Sequence, residues 1–424
     1  MGGIRGVQSA SNVRGLSVPL LDDIEPDGKK ILVRLDINVP IDAETGEILD
    51  PGKIRAHVPT LRELIERGCS VVAMSHQGRP GSSDFVELRA HAVALSEFVG
   101  REVRWVDDVI GPAARNAIKE LKRGELLLLD NLRVLSEESI EGDPDFHARS
   151  LFVKRLYKLF DAYVNDAFAS AHRSHASVVG FPAVLPSAAG RLLQKELEAV
   201  SRAFDPSMSP KVFVLGGSKL EDSVKLIEKL AEKKVADKIL TTGLVAELFL
   251  QATGARLGHE NYRVLEKAGA PRLLEAARRL LERGAPVELP RDFVVERGSE
   301  IASCSSRSVE GLVRDIGEET IEAYSDEIRR AKVVVMRGPA GVVEDPRYRR
   351  GTRALVEAAA SSGALLLIGG GHIGMVAEEL GLRDKPNVHI STGGGALISL
   401  LTGEPLPALE ALKLSAKRFL GWRC

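Results

Sequence analysis

Short apolar runs alternate with amphipathic stretches along the whole chain. The apolar runs are residues 31–33, 71–73, 103–105, 126–129 and 162–164 in the first half, and 212–214, 238–240, 333–335, 365–367 and 388–390 in the second. Stretches with helical periodicity lie between them, among them 60–67, 113–122, 147–160, 221–233, 272–283 and 352–360. Uninterrupted apolar strands separated by helices predict parallel sheets that are covered on both faces.

One sheet built from all of these strands would be unusually large, so the pattern favours two separate sheets. We predict an α/β fold of two Rossmann-like, doubly wound parallel-sheet domains, joined by a helix and with a central cleft. The connecting helix is predicted over 191–204, between prolines on either side. The predicted boundaries are 1–188 for the N-terminal domain, 189–205 for the inter-domain helix, 206–405 for the C-terminal domain and 406–424 for a last helix that could pack back on the N-terminal domain.

Composition narrows the class of protein. The formal net charge of −1 argues against a nucleic-acid partner. The three cysteines, Cys69, Cys304 and Cys424, are far apart, which excludes a disulfide framework and suggests a reducing compartment. No apolar run approaches the ~18 residues that a membrane span needs, and the first residues lack the apolar segment of a signal peptide. We therefore expect a cytoplasmic protein without a membrane partner, in which residues 1 to about 16, rich in Gly and Ser, are flexible.

Polar and basic residues follow the first-half strands at the points where the strands end. The segments 34–40, 75–80, 130–133 and 165–177 carry Asp36, Asn38, His76, Arg79, Arg133 and Arg173. In doubly wound sheets, ligands bind beyond the carboxyl ends of the strands. Arginine suits bidentate recognition of phosphate and carboxylate, so the cluster predicts a site for a small, multiply charged anion. Asp36 and Asn38 could hold its hydroxyl groups.

Each of these residues also has a simpler interpretation. Any one of the arginines could be a surface ion-pair partner, and His76 could be a structural histidine. His172 and His175, three residues apart, could ligate a metal, but no further ligands accompany them. The argument for a site therefore depends on the strands bringing these residues together.

Glycine-rich turns follow the second-half strands at 215–219, 337–341, 369–372 and 391–395. Glycine lets a backbone approach a ligand closely, and the N-terminus of a helix favours negative charge. Lys219 adds a mobile positive charge, and Glu344 could accept hydrogen bonds from ribose hydroxyls. These turns predict a site for a phosphate chain or a nucleotide.

Taken together, the motifs resemble those of the phosphoglycerate kinase family, and the resemblance covers nearly the whole chain. The matching blocks are 34–40 (RLDINVP), 75–80 (SHQGRP), 131–133 (NLR), 166–177 (DAFASAHRSHAS), 215–219 (LGGSK), 338–344 (GPAGVVE) and 391–395 (STGGG). The resemblance implies a first domain that binds 3-phosphoglycerate and a second that binds Mg-ADP or Mg-ATP. It also implies reversible phosphoryl transfer between 1,3-bisphosphoglycerate and ADP, giving 3-phosphoglycerate and ATP.

The resemblance assigns roles residue by residue. The implied phosphoglycerate-binding residues are Asp36, Ile37, Asn38, Lys53, His76, Gln77, Gly78, Arg79, Arg133 and Arg173. The implied nucleotide-binding residues are Gly216, Gly217, Ser218, Lys219, Gly338, Glu344, Gly370, Gly371, His372, Ile373, Gly393, Gly394 and Gly395. Catalysis falls to Lys53 and Lys219, which neutralise the moving phosphoryl group, and to backbone donors at Gly371 and Gly394. The implied cofactor is Mg²⁺ carried by the nucleotide, without a dedicated protein metal site.

Four positions depart from the commonest pattern of that family. Lys53 stands where an arginine is usual, and Ser223 where a second lysine often follows the glycine turn. Arg337 stands where an asparagine is usual, and His372 where an aspartate lies near the metal. Ser223 and His372 resemble the archaeal branch of the family, whereas Lys53 and Arg337 are not accounted for in this way. An alternative is therefore that the chain is a catalytically impaired member of the family, which binds both ligands without turnover and serves as a regulatory or binding protein.

A nicotinamide-dependent dehydrogenase is a rival enzyme class, because residues 369–374 fit G-x-G-x-x-G. Such a site requires an acid at the end of the next strand, but that strand ends in Ser391 and Thr392. A Walker-type ATPase is disfavoured because the chain contains no G-x-x-x-x-G-K-[ST] motif.

Overall fold

A computed structural model describes residues 17–422. The segment 1–16, which is predicted to be flexible, lies outside these residues. The contacts divide the chain into two compact units. The first unit holds the residues up to Glu198 together with those from Pro405 onwards, and the second holds Ala199–Glu404. Within the described range, no helix combines the length and the apolar character needed to cross a membrane.

The first unit is built on a six-stranded, wholly parallel sheet. Its strands are β1 (Lys30–Arg34), β2 (Ser70–Met74), β3 (Val103–Val106), β4 (Leu126–Leu129), β5 (Ala162–Asn165) and β6 (Ser187–Ala189), in the spatial order β3-β4-β2-β1-β5-β6. Its α-helices are α1 (Gly52–Ala56), α2 (Val58–Glu66), α3 (Arg89–Val99), α4 (Pro112–Glu120), α5 (Pro144–Ala148), α6 (Leu151–Leu156), the start of α7 (Arg191–Phe204), and α16 (Pro407–Phe419).

Successive residues of these strands enter two hydrophobic cores on opposite faces of the sheet. Ile31 and Val33 of β1 belong to the core that contains Leu61 of α2. Leu32, between them, belongs to the core that contains Ile118 of α4. Because side chains alternate between the faces of a strand and both faces are covered, every position of β1 after its first residue is buried. This explains why the strands appear in the sequence as uninterrupted apolar runs.

The last helix, α16, packs on the first unit although it comes at the end of the chain. The hydroxyl of Ser415 donates to the carbonyl oxygen of Leu185 at 2.8 Å. The backbone N–H of Ala408, at the start of the helix, donates to the carbonyl oxygen of Ala171 at 3.1 Å. The helix thus contacts the segment that follows β5.

The second unit repeats the plan with a second six-stranded parallel sheet. The strands of this sheet are β7 (Lys211–Leu215), β8 (Lys238–Thr241), β9 (Val287–Glu288), β13 (Val333–Arg337), β14 (Leu365–Ile368) and β15 (Val388–Ile390), in the order β15-β14-β13-β7-β8-β9. A small antiparallel sheet of β10 (Asp292–Arg297), β11 (Glu300–Ser305) and β12 (Leu312–Ile316) is inserted. The helices are α8 (Leu220–Glu232), α9 (Gly243–Thr253), α10 (His259–Lys267), α11 (Leu274–Glu282), α12 (Glu318–Arg330), α13 (Arg350–Ser361), α14 (His372–Glu379) and α15 (Gly394–Thr402).

The predicted fold of two Rossmann-like parallel-sheet domains is confirmed, but some elements differ from the prediction. The helix predicted over 147–160 is wrong, because the side chain of Ser150 accepts a hydrogen bond from the N–H of Val153 and starts a new helix, α6. Strand β6 was not predicted, since its sequence, Ser-Ala-Ala, has no branched or aromatic residue. The antiparallel sheet was also missed.

Glu247 is a buried carboxyl group in the second unit whose ionisation is disfavoured. It lies in α9 with 2% of its surface exposed, and its Oε2 has no hydrogen-bond partner in the described part of the chain. Burial raises the pKa of this carboxyl group from 4.5 to about 8. Between these two values the folded chain binds more protons than the unfolded chain, so stability falls as the pH rises through this window.

Replacing Glu247 with glutamine should remove this pH dependence. The cost of keeping the group protonated is about 1 kcal/mol at pH 5 and about 3 kcal/mol at pH 7. Urea unfolding should therefore show that the free energy of unfolding of Glu247→Gln, relative to the unmodified chain, increases by about 2 kcal/mol between pH 5 and pH 7. The exposed Glu266 provides a matched control, Glu266→Gln, for which no such increase is expected. If Glu247→Gln changes the free energy of unfolding by the same amount at both pH values, the raised pKa of Glu247 is contradicted.

Candidate active site

The loop after β1 forms the centre of a polar cluster at the carboxyl edge of the first sheet. Asp36 in this loop is 7% exposed, and its Oδ2 accepts a hydrogen bond from the Ser170 hydroxyl at 2.6 Å. Lys53 of α1 places its Nζ 3.8 Å from Oδ1 of Asp36 and 3.2 Å from the carbonyl oxygen of Asn38. Burial opposes ionisation of Asp36, but the charges of Lys53 and Arg34 and the hydrogen bond from Ser170 outweigh it and hold the pKa of Asp36 well below its ordinary value. Asp36 is therefore a fixed carboxylate.

The segment after β2 is held against the same loop by side-chain amides. Asn38 accepts a hydrogen bond from the N–H of Gly78 at 3.1 Å, and the Gln77 side chain bonds both the N–H and the C=O of Val39 at 3.0 Å. Gly78 has a φ of +63°, and a Cβ there would lie 2.5 Å from the carbonyl oxygen of Asp84. No other residue fits this turn without displacing the backbone. The loops after β1 and β2 thus form one rigid unit.

His76 is buried behind this turn and is oriented by Arg34. The Arg34 side chain donates from NH2 to Nδ1 of His76 at 3.0 Å, and it also bonds Ser177 at 2.8 Å. Burial is the main reason why the pKa of His76 lies well below its ordinary value; Arg34 and Arg133 lower it further, and Asp36 opposes them. Because Arg34 can only donate, Nδ1 is the acceptor and Nε2 carries the proton. His76 is thus a neutral donor, and the positive charge of the cluster comes from arginine and lysine.

Three arginines surround the open side of the cluster. Arg79, Arg133 and Arg173 line one depression together with His172 and His175. Burial and the nearby charges of Arg173 and Arg79 lower the pKa of Arg133, which shows how closely the positive charges are gathered. Glu141 also lines the depression, where it accepts hydrogen bonds from Ser174 and lies 3.1 Å from Nε2 of His175. The arrangement favours an anion at this edge of the sheet.

A hydrogen-bond relay behind the cluster connects Asp36 to the first turn of α7. The N–H of Asp36 donates to Nε2 of His57 at 3.0 Å, and Nδ1 of this histidine lies 2.8 Å from Oδ2 of Asp166. The other oxygen of Asp166 accepts from the Thr60 hydroxyl and the Leu192 N–H, both at 2.9 Å. Asp166 therefore acts as a structural hub among the loop after β1, α2 and α7. His57 and Arg34 were not predicted as site residues, because a buried histidine between two helices or a buried arginine at the end of a strand gives no signal in the sequence.

The second unit has a glycine-lined pocket at the carboxyl edge of its parallel sheet. Its wall consists of Gly216, Gly217, Ser218, Lys219, Arg337, Gly338, Pro339, Gly369, Gly370, Gly371, His372, Gly394 and Leu397. Helices α8, α14 and α15 begin at or beside these residues, so their free N–H groups favour negative charge there. No carboxylate is among the described residues of this wall.

The turns of this pocket fit together closely. The N–H of Gly216 donates to the carbonyl oxygen of Arg337 at 2.8 Å, and the N–H of Gly217 donates to that of Pro339 at 2.9 Å. Gly338 has a φ of +74°, and a Cβ on it would lie 2.2 Å from the carbonyl oxygen of Gly216. The turn at Thr242 and Gly243, after β8, packs against the same glycines. That turn was missed, although a glycine after a predicted strand end could have indicated it.

The structure brings most of the predicted residues together within their units. In the second unit the wall contains nine of the thirteen predicted nucleotide-binding residues. Glu344 lies beside it, with Oε1 3.4 Å from Nε2 of His372. Ile373 is buried within α14, and Gly393 and Gly395 flank the start of α15. Among the described residues, no group of three or more His, Cys, Asp or Glu side chains is arranged to hold a metal ion.

Two parallel-sheet units, one with an arginine cluster and one with a glycine-lined pocket, are typical of the two-domain α/β enzymes that act on phosphate compounds. Comparison with known proteins identifies the family. The family model described as "Phosphoglycerate kinase" matches residues 21–404. The chain belongs to the phosphoglycerate kinase family and is a phosphotransferase.

Individual relatives extend over nearly the same range. The chain is 50% identical over 406 residues to a phosphoglycerate kinase of Sulfurisphaera tokodaii, covering 95% of this chain and 97% of that protein. It is 51% identical over 401 residues to a phosphoglycerate kinase of Aeropyrum pernix, and the match covers 94% of this chain and 96% of that protein. The crystal structure of phosphoglycerate kinase from Pyrococcus horikoshii superposes with a TM-score of 0.88 at 38% identity, covering 94% of this chain and all of that one. The predicted resemblance to the archaeal branch is confirmed.

The relay behind Asp36 can be tested by replacing His57 with alanine. The substitution leaves the N–H of Asp36 and the carboxylate of Asp166 buried without their partner. Because each unpaired buried group costs about 1–3 kcal/mol, we expect the free energy of unfolding to fall by about 2–4 kcal/mol. Denaturant unfolding measures this, with His259→Ala, at an exposed histidine, as a control that should change it by less than about 0.5 kcal/mol. A loss for His57→Ala no larger than that of the control would contradict the relay.

Proposed function

We propose that this chain catalyses reversible phosphoryl transfer between 1,3-bisphosphoglycerate and ADP, giving 3-phosphoglycerate and ATP. The observation that carries the proposal is the arginine cluster beside the ionised Asp36, in a chain of the phosphoglycerate kinase family. In the forward direction, an anionic oxygen of ADP forms a bond to phosphorus while the bond to the acyl oxygen breaks and the carboxylate leaves. The nucleophile is already charged, so no general base is needed.

The first unit is proposed to bind the phosphoglycerate. Arg79, Arg133 and Arg173 hold its anionic groups, and the neutral His76 donates from Nε2. Asp36 and Asn38 hold the hydroxyl group, while the backbone of Ile37, Gln77 and Gly78 shapes the loop around it.

The second unit is proposed to bind ADP or ATP in the glycine-lined pocket. The turns that contain Gly216–Ser218, Gly338, Gly370–Ile373 and Gly393–Gly395 let the phosphates approach the backbone. Glu344 accepts from the ribose hydroxyls. Catalysis rests on positioning and on charge: Lys53 and Lys219 neutralise the transferred group, and backbone N–H groups at Gly371 and Gly394 add donors.

The residues of the nucleotide pocket do not form a site of their own for Mg²⁺. Magnesium prefers oxygen ligands, and the described wall of the pocket offers His372 but no carboxylate. We therefore propose that Mg²⁺ would arrive with the nucleotide and would not need a site of its own on the protein. Its role is to neutralise phosphate charge.

We also propose a location in the cytoplasm, and we propose the domain boundaries that are predicted from the sequence.

The proposal predicts turnover when 3-phosphoglycerate and Mg-ATP are supplied and the 1,3-bisphosphoglycerate formed is coupled to NADH oxidation. Nothing in the comparisons supports the alternative of a member that binds without turnover. The two functions are separated by measuring thermal unfolding with each ligand on the same sample. Ligand-dependent stabilisation without any NADH oxidation above the blank would contradict the enzymatic function and favour the binding protein.

Lys53 can be tested against a neighbouring cation on the same helix. Lys53→Ala should lower kcat by about 100-fold or more and raise KM for 3-phosphoglycerate much less, because a charge that acts on the transferred group stabilises the transition state selectively. Lys53→Arg should keep most of the activity. Arg55→Ala is the matched control, since the Arg55 guanidinium stacks on the Phe98 ring, 4.9 Å from its centroid, and should leave kcat nearly unchanged. Equal effects of Lys53→Ala on kcat and on phosphoglycerate binding would instead assign Lys53 to ground-state binding.

A further inference from the structure

Arg337 is a buried cation in the wall of the glycine-lined pocket. It is the last residue of β13, beside β7 in the middle of the parallel sheet, and 9% of its surface is exposed. The other lysine or arginine in the described wall is Lys219, which is exposed at the N-cap of α8. The pocket therefore combines one mobile and one fixed positive charge.

Two contacts hold the Arg337 guanidinium in place. NH1 donates to the hydroxyl of Ser223 at 3.0 Å, and NH2 donates to Oδ2 of Asp222 at 2.9 Å. Both partners lie in the first turn of α8. Because the planar guanidinium has five N–H donors, these contacts leave three, for which the structure shows no acceptor in residues 17–422. Asp222 and Ser223 therefore hold the guanidinium in place while three of its N–H donors are left for another partner.

The carboxylate of Asp222 neutralises the buried charge of Arg337 only in part. The side chain of Asp222 is 44% exposed, whereas that of Arg337 is 11% exposed, so water screens the carboxylate more than the guanidinium. Burial lowers the pKa of Arg337 and Asp222 opposes this shift. A buried charge is costly unless it is fully paired and hydrogen-bonded. An anion in the pocket would complete the pairing, and the surrounding helix N-termini favour the same charge.

We propose that Arg337 is a nucleotide-binding residue whose guanidinium donates hydrogen bonds to a phosphate group of the bound nucleotide, while Asp222 and Ser223 hold its fork in the pocket wall. The inference rests on the proposed function, because it takes the ligand of this pocket to be ADP or ATP. Arg337 is therefore expected to contribute to the affinity for ADP, which carries phosphates, but not to the affinity for adenosine, which carries none.

The test compares ADP with adenosine, using calorimetry without magnesium on the full chain. Arg337→Gln should weaken ADP binding by about 10- to 100-fold, because hydrogen bonds between charged groups are among the strongest in proteins. The same variant should bind adenosine as the unmodified chain does. Arg337→Lys, which keeps the charge, should recover part of the ADP affinity. A parallel loss of ADP and adenosine affinity would overturn the inference, because it would mean that Arg337 only maintains the shape of the pocket.

Asp222→Asn is the second variant, and it leaves Arg337 in place. Its amide oxygen can still accept from the guanidinium, but the competing negative charge is gone, so ADP should bind as tightly as before or up to about fivefold more tightly. Weaker binding of both ADP and adenosine by Asp222→Asn would overturn the inference, because it would mean that the contact between Asp222 and Arg337 only maintains the shape of the pocket. Binding of 3-phosphoglycerate should be the same in all variants, which checks that the first unit is folded.

The outcome can be separated from that of the proposed function. If the unmodified chain turns over 3-phosphoglycerate and Mg-ATP but Arg337→Gln binds ADP with unchanged affinity, the inference is wrong and the function stands. If the unmodified chain shows no turnover, but ADP affinity falls in Arg337→Gln while adenosine affinity does not, the function fails and the phosphate contact stands.

Discussion

A parallel sheet that is covered on both faces leaves ligands only its ends, and this constraint determines where the chemistry of both units lies. Buried strands such as β1 alternate their side chains between two cores, so only the last residue of a strand, such as Arg34 or Arg337, can place a polar group at the site. The other polar residues of the sites lie in the turns beyond the strands, and at the carboxyl ends those turns converge. The arginine cluster of the first unit and the glycine-lined pocket of the second occupy equivalent places for this reason.

The two units favour an anion by different physical means. The first gathers side-chain charge, and it therefore needs a buried framework to hold that charge: Arg34 orients His76, and the relay from Asp166 through His57 holds the backbone of Asp36. The second relies mainly on backbone N–H groups, so its precision comes from turns that pack against each other, as Gly216 and Gly338 do. A small, densely charged ligand suits the first arrangement, and an extended phosphate chain suits the second.

The sequence predicted those features that depend on local pattern and missed those that depend on packing. The apolar runs located the major parallel strands, and the polar turns after them located Asp36, Arg133 and Lys219. Strand β6 was missed because its burial is decided by neighbouring elements and not by its own three small residues. His57 was missed for a related reason: its role depends on contacts with Asp166, which is 109 positions further along the chain. Long-range hydrogen bonds of this kind leave no periodic trace in a single sequence.

Ser223 and Arg337, which depart from the commonest family pattern at separate places in the sequence, form a single feature in the structure. The Arg337 guanidinium lies 3.0 Å from the hydroxyl of Ser223, so a lysine at position 223 would bring a second cation against it inside a largely buried wall. Two like charges at that separation repel strongly where water is excluded. A small neutral acceptor at 223 is therefore the physical counterpart of an arginine at 337: the positive charge comes from the end of β13 and not from the first turn of α8. A prediction made position by position treats these residues as two separate changes and leaves Arg337 without an explanation, whereas the hydrogen bond between them relates one change to the other.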